Sequence, residues 1–277
     1  MSEDIHLAGV IGDPIGHSKS PILHGHWLKR YGINGHYIPI HVARDDFADV
    51  LKTLPKMGFR GVNVTIPHKE TALQIADTIT DRAALIGAAN TLTFTTSGTV
   101  QADNTDGIGF LANIKQRFPD WKASNGSALV LGAGGASRAI VSALLGDGVS
   151  EVILVNRTRS RSEALRDQLG ARIKVADWTK IPEVLPHVAT VVNTTSLGMV
   201  GQPALNIDLT GLNKDTVVND LVYAPLMTDF LLQAEQAGAN IVDGLGMLLH
   251  QAAPGFERWF GQRPDVDDDL RKAVLSA

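Results

Sequence analysis

Apolar residues recur along this chain in short runs, and polar, helix-spaced stretches separate them. Ile5–Ile11 is one such run. Ser20–Tyr31 has helical spacing, with Pro21 placed near a helix start. Tyr37–Val42 reads as a strand, and Asp45–Met57 as a helix that Gly58 stops. In Gly61–Ile66 the residues Val62, Val64 and Ile66 alternate at period two. Thr91–Thr96 and Thr99–Ala102 predict a hairpin around Ser97-Gly98. Gly107–Arg117 reads as a bridging helix. A second block then repeats one beat: strand Ser127–Leu131, helix to Leu145, strand Glu151–Val155, helix Ser160–Leu169, then strands Thr190–Asn193, Thr216–Asn219 and Asn240–Val242. After Gly244 the pattern is helical through Trp259, and Asp265–Val274 reads as a charged helix. Alternating strands and helices predict a parallel sheet with helices on both faces.

The fold class is therefore α/β. Its parts are an N-terminal α/β domain over residues 1–106, a Rossmann-like nucleotide domain over 107–243, and C-terminal helices from 244–277 that return to the first domain. Two chain crossings would leave a cleft, a common place for a ligand. The length of 277 residues fits about two domains of roughly 150 residues. With 44% hydrophobic and 19% charged residues the composition is globular, which argues against disorder, coiled coil and collagen. There is no cysteine, so disulfides, thiolate nucleophiles and cysteine-ligated metals are excluded. The pair His24-Gly25-His26 fits no common zinc spacing, and no metal is expected. A net charge of -4 gives no basic footprint for nucleic acid. No apolar run reaches the roughly 18 residues of a membrane span. The polar start Met1–Asp4 does not read as a signal peptide, so the expected location is cytoplasmic.

Gly132-Ala133-Gly134-Gly135-Ala136 follows an apolar strand and opens a helix, the context of a dinucleotide-binding fingerprint. Gly132 would permit the tight turn, and Gly134 would let a pyrophosphate approach the backbone at the helix N-terminus. The third position is Ser137 rather than glycine. NAD-binding folds hold the ribose 2′-hydroxyl with an Asp or Glu after the next strand. Here that strand ends in Asn156-Arg157-Thr158, with Arg159 and Arg161 behind it. Arg157 and Arg161 suit a 2′-phosphate, which favours NADP over NAD. The alternative is a solvated helix start, yet three cations there oppose the helix dipole unless an anion binds.

Ser18 and Ser20 flank a strand-to-helix junction. Ser20 reads as an N-cap with Pro21 at the first helical position, which leaves Ser18 to bind a carboxylate. Thr65 and Lys69 lie in Asn63–Lys69, where Pro67 breaks the strand and Lys69 opens a helix, at the unfavourable positive end of its dipole. Lys69 reads either as a surface lysine or as a catalytic amine. Asn90 and Asp106 sit in polar clusters at strand ends. Asp106 reads either as the N-cap of the bridging helix or as a carboxylate beside Lys69. A Lys–Asp pair can move a proton while a hydride leaves the same carbon. Tyr223 and Gln251 carry little information alone.

Together the segments Gly16–Pro21, Asn63–Lys69, Gly87–Thr91, Asn104–Gly107, Gly132–Ala136, Asn156–Thr158, Asn193–Gly198, Val222–Pro225 and Asp243–Leu248 resemble the shikimate dehydrogenases, in that family's order and over nearly the whole chain. The resemblance implies NADP-dependent, reversible reduction of 3-dehydroshikimate to shikimate, on the chorismate route to aromatic amino acids. It implies a small-molecule substrate and a monomer or homodimer. It implies Lys69 and Asp106 as the catalytic pair, and Ser18, Ser20, Thr65, Asn90, Asp106, Tyr223 and Gln251 around the substrate. The cofactor residues it implies are Gly132, Ala133, Gly134, Gly135, Ala136, Asn156, Arg157, Thr158, Arg161, Leu221, Gly244, Met247 and Asp81. A broader quinate/shikimate enzyme and a non-catalytic NADP-binding sensor are the alternatives. His68 and His250 receive no role.

Overall fold

The computed structural model describes residues 5–276; Met1–Asp4, read above as carrying no export signal, lies outside the described residues. The chain divides into two compact units, one up to Thr105 and again from Leu249 onward, the other Asp106–Leu248. The return therefore falls inside a helix at Leu249 rather than at Gly244, and Asp106 belongs with the helix it opens.

The first unit runs β1 (His6–Gly12), α1 (Ser20–Arg30), β2 (Gly35–His41), α2 (Phe47–Thr53), β3 (Phe59–Val64), α3 (Lys69–Ile75), β4 (Thr78–Ile79), α4 (Asp81–Ile86), β5 (Thr91–Phe94) and β6 (Val100–Asp103). Its sheet has the order β2-β1-β3-β5-β6-β4. β1 pairs parallel with β2 and β3, whereas β5 is antiparallel to both β3 and β6. The hairpin around Ser97-Gly98 is thus present. The predicted helix Asp45–Met57 is shorter: α2 ends at Thr53, and Leu54–Met57, with Pro55, tightens into a 3₁₀ turn. Proline lacks the N–H that would continue the ladder.

The second unit runs α5 (Asp106–Arg117), β7 (Ser127–Leu131), α6 (Gly135–Gly146), β8 (Val152–Val155), α7 (Arg159–Leu169), β9 (Ile173–Ala176), α8 (Ile181–Val184), β10 (Val188–Asn193), β11 (Val217–Asp220), α9 (Asp229–Gln236) and β12 (Asn240–Val242). Every pairing in its sheet is parallel, in the order β12-β11-β10-β7-β8-β9. The central strands are almost wholly buried, as a sheet covered on both faces requires, with Asn193, Asn219 and Asp220 as polar residues at their carboxyl ends. One core layer holds Phe110, Ile140, Leu144, Val130 and Leu154; the other holds Leu129, Leu131, Val191, Phe230 and Leu231.

α10 (Leu245–Phe260) and α11 (Asp268–Leu275) close the chain. α11 starts at Asp268, not Asp265, capped by the Asp267 side chain on the Leu270 N–H at 3.0 Å. The closing helices seal the first unit. Trp259 donates its indole N–H to the Leu92 carbonyl at 3.0 Å, and Trp27 donates to the Asp265 carbonyl at 2.8 Å. No helix among the described residues is long and apolar enough to cross a membrane.

Candidate active site

Strand order in the second sheet reverses between β7 and β10, and open α/β sheets bind ligands at such a point, beyond the carboxyl ends of the strands. A cavity of about 860 Å³ lies there. Its lining includes Gly132, Ala133, Gly134, Asn156, Arg157, Thr158 and Arg161. Gly132 has φ +107°, and a Cβ on it would come within 2.7 Å of Thr194 Oγ1. Only glycine fits the turn. Ser137, where the usual fingerprint has glycine, is fully buried and donates its hydroxyl to the Gly132 carbonyl at 2.7 Å. The serine thus pins the turn from beneath. A Cβ on Gly134 would meet nothing within 4 Å, so the backbone faces open space at the N-cap of α6.

Asn156 stitches the turn to the next loop. It accepts from the Ala133 N–H at 3.2 Å and donates to the Thr158 carbonyl at 2.9 Å. Arg159, the third cation of this loop, does not line the cavity: it pairs with Glu163 at 2.9 Å and Asp177 at 2.7 Å. Arg157 and Arg161 are exposed, line the cavity and form no ion pair with any described residue. No carboxylate stands at the end of β8. Unopposed guanidiniums beside an open glycine turn fit a dinucleotide with a 2′-phosphate.

Sequence reasoning gave no role to the rest of the lining, Trp178, Thr194–Leu197, Gln202–Ala204 and Asn206, although Asn193–Gly198 was among the segments that carried the resemblance. The anchor of that segment is Asn193, which accepts from Thr195 N and Oγ1 at 3.0 and 2.7 Å and donates to the fully buried Asp220 at 2.9 Å. Asp220 also accepts from Val222 N–H and from Thr228 Oγ1. Burial pushes its carboxyl above the usual range, against these bonds. Leu221 and Gly244 meet just past the ends of β11 and β12, where a Cβ on Gly244 would lie 2.4 Å from the Leu221 carbonyl, and Met247, on the first turn of α10, packs like Leu221 against the core layer that holds Phe110. They do not line the cavity, and neither do Gly135 and Ala136. Asp81 is exposed on the first turn of α4 and lies outside that lining as well.

In the first unit Asn90 is the hub. Its carbonyl accepts the Val64 N–H at 2.9 Å, just before Thr65, and its neighbour Ala89 donates to the Lys69 carbonyl at 2.9 Å. Its side-chain oxygen accepts from Thr105 N–H at 2.9 Å, one residue before Asp106. Its side-chain N–H donates to Gln251 Oε1 at 3.2 Å. Thr65, Lys69, Gln251 and the segment leading into Asp106 are thereby held around one residue. The capping expectation is reversed at the serines. Ser20 is the first helical residue with Lys19 at the cap, and Ser18 Oγ accepts the Ser20 N–H at 3.3 Å. Asp106 likewise lies within α5 rather than before it.

Beneath these groups, Tyr37 donates to Asn63 Oδ1 at 2.7 Å, and Asn63 donates to the Asn90 carbonyl at 3.1 Å. Burial raises the Tyr37 phenol well above its ordinary value, while its contact with the Ser20 hydroxyl works the other way. His24 stacks on Tyr37 with ring centroids 3.8 Å apart, and burial lowers it to about 3, so it is neutral. His68 is buried, stacks on Phe47 at 4.4 Å and donates Nε2–H to the Val42 carbonyl at 2.8 Å. It occupies the N-cap position of α3 without a side-chain capping bond, and these contacts anchor the residue before Lys69. Tyr223 belongs to the second unit and is 38% exposed.

Asp103, three residues upstream of Asp106, is buried between Arg82 and Arg258. Arg82 Nε lies 2.6 Å from Oδ1, Arg258 reaches Oδ2 at 2.6 Å, and Thr80 Oγ1 donates at 2.8 Å. Burial by itself would raise this carboxyl, but the two guanidiniums and Thr80 hold it down to about 2.

The chain is similar to known proteins over its whole length. A model of the shikimate dehydrogenase substrate binding domain matches residues 10–92, one of shikimate / quinate 5-dehydrogenase matches 112–200, and one of the shikimate 5'-dehydrogenase C-terminal domain matches 244–275. A protein of Jannaschia sp. (strain CCS1) named shikimate dehydrogenase (NADP(+)) is 62% identical over 277 residues, all of both chains. A solved shikimate 5-dehydrogenase of Thermus thermophilus, in complex with NADP(H) and shikimate, is 34% identical with a TM-score of 0.87, covering 98% of this chain and 99% of that one. A quinate dehydrogenase of Corynebacterium glutamicum in complex with NAD is 31% identical with a TM-score of 0.91, covering 99% and 100%.

Proposed function

Because the chain belongs to the shikimate dehydrogenase family, we propose that it interconverts shikimate and 3-dehydroshikimate with NADP, using Lys69 and Asp106 as its proton-transfer pair. The observation that carries the residue assignment is the Asn90 hub, which bonds Gln251, the strand end before Thr65 and the segment entering Asp106, while the adjacent Ala89 bonds the Lys69 carbonyl. Ser18 and Ser20 are assigned the substrate carboxylate, and Thr65, Asn90, Tyr223 and Gln251 its hydroxyls. In oxidation, the Lys69 amine takes the proton of the reacting hydroxyl; in reduction it returns one. Asp106 orients the amine and stabilises the ammonium that forms. The cofactor, when bound, supplies hydride transfer at the same carbon.

The dinucleotide is assigned to the glycine turn, with Arg157 and Arg161 on its 2′-phosphate. Asp81, Leu221, Gly244 and Met247 are its further assigned neighbours. The substrate is a small molecule, and the chain is assigned to the cytoplasm as a monomer or homodimer. The test is absorbance of the reduced cofactor with shikimate plus NADP, run beside quinate plus NAD. Turnover confined to the first pair is expected; equal turnover of the second would move the chain to the quinate branch. Lys69→Ala should lower kcat by about 10²–10⁴-fold with little change in KM. Near-normal turnover in that variant would remove Lys69 from the proton transfer.

A further inference from the structure

The cavity in the second unit contains an aromatic side chain that the functional reading leaves unused. Three of the four tryptophans are buried, Trp27 and Trp259 fully and Trp121 with its N–H on Thr190 at 3.1 Å. Trp178 is half-buried, packs against the core layer that includes Leu129 and Phe230, and lines the cavity. It stands just past the end of β9, and its place is fixed relative to the arginine loop. The preceding residue, Asp177, accepts from Arg159 at 2.7 Å, so the first turn of α7 is tied to the residue before the indole. Arg157, Arg161 and Trp178 thus share one side of the cavity.

In a 2′-phosphorylated adenosine the phosphate and the base sit on adjacent carbons of one ribose. A phosphate held by Arg157 and Arg161 therefore delivers the base within a few ångströms, to the side where Trp178 stands. An aromatic ring suits this duty because each base has a π-face, and stacking needs no hydrogen-bond pattern. We propose that Trp178 is the stacking platform for the adenine of the dinucleotide, a binding residue that rests on the NADP reading above. The base is then gripped by its face while its ribose phosphate is gripped by charge.

The test is binding of 2′,5′-ADP, which carries the base and the 2′-phosphate without nicotinamide, followed by calorimetry and by tryptophan emission. In the wild type, binding should quench emission, since Trp178 is the indole facing the ligand. Trp178→Phe keeps a ring: affinity should stay within about threefold while the quench disappears. Trp178→Leu keeps apolar bulk without a π-face, and should weaken binding by about 5- to 100-fold. Unchanged affinity in Trp178→Leu, or a quench that persists in Trp178→Phe, would overturn the proposal while leaving the NADP reading intact. Wild-type protein that ignores 2′,5′-ADP would instead overturn the NADP reading, and this proposal with it. If the leucine variant does not fold, the phenylalanine variant still decides, because its loss of quench at retained affinity reports the stack directly.

Discussion

Replacing Asp103 by Asn should destabilise the first unit in a way that depends on pH. The carboxylate holds α4 through Arg82 and α10 through Arg258. Its side chain is 2% exposed, so its charge has no aqueous alternative in the folded state. Lowering it from 3.8 to about 2 corresponds to about 2 kcal/mol of stability at neutral pH. The amide would also leave two guanidiniums facing an uncharged group, and breaking a buried pair from one side commonly costs about 3–5 kcal/mol. Both arginines are over one-third exposed and can be rehydrated, so a total of about 2–4 kcal/mol is expected. The sign with pH follows from a depressed carboxyl. Its stabilisation is complete above the unfolded value, and is lost as pH falls through the folded one. The gap between wild type and variant should shrink by about 1 kcal/mol near pH 3 and close toward pH 2. Urea unfolding followed by tryptophan emission in a Trp121→Phe, Trp178→Phe background, which leaves Trp27 and Trp259 of the first unit as the reporters, measures this at pH 7 and pH 3. A variant with the wild-type midpoint at pH 7, or a gap of equal size at both pH values, would refute the reasoning.

Two further substitutions separate cofactor recognition from folding. Arg157→Ala should weaken NADP by about 10- to 100-fold and leave NAD little changed, because only the 2′-phosphate needs that guanidinium; equal losses for both in steady-state kinetics would count against it. Gly134→Ala should change the melting free energy by less than about 1 kcal/mol, since φ is -95° and a Cβ there meets no atom within 4 Å. The same methyl should cut NADP affinity at least about tenfold in calorimetry, and normal affinity would show that no phosphate approaches that backbone.

Much of the second unit was legible because its grammar is local. Ser127–Leu131 and Asn240–Val242 are bounded as the apolar runs predict, and the glycine turn follows directly. Short elements escaped. β4 has two residues, too few for any period, and β9 alternates over only Ile173–Ala176. α9 did leave a signal, since Thr228 precedes an apolar stretch and accepts the Leu231 N–H at 3.3 Å. Roles within clusters were harder. Ser18 and Ser20 are two residues apart, and sequence cannot say which side chain serves the other's backbone. Arg159 received no role from sequence, and its partners Glu163 and Asp177 became visible only in the fold. Asp103 and Arg258 are 155 positions apart, and nothing local announces such a pair.

The first unit is interrupted in sequence, and this sets an order on its assembly during synthesis. Its sheet is complete once β6 has been made, but the residues that seal it come last. Leu92 must wait for Trp259, Asp103 for Arg258, and the Trp27 indole for Asp265. The whole second unit is made in that interval, and its contiguous βαβ repeats can close without any later residue. A nascent chain therefore carries an uncovered, strand-rich first unit for more than half of its elongation, the interval in which exposed apolar surface is most prone to wrong partners. Truncation near the C-terminus removes the seal from the earliest-made part of the molecule and leaves the latest-begun unit whole.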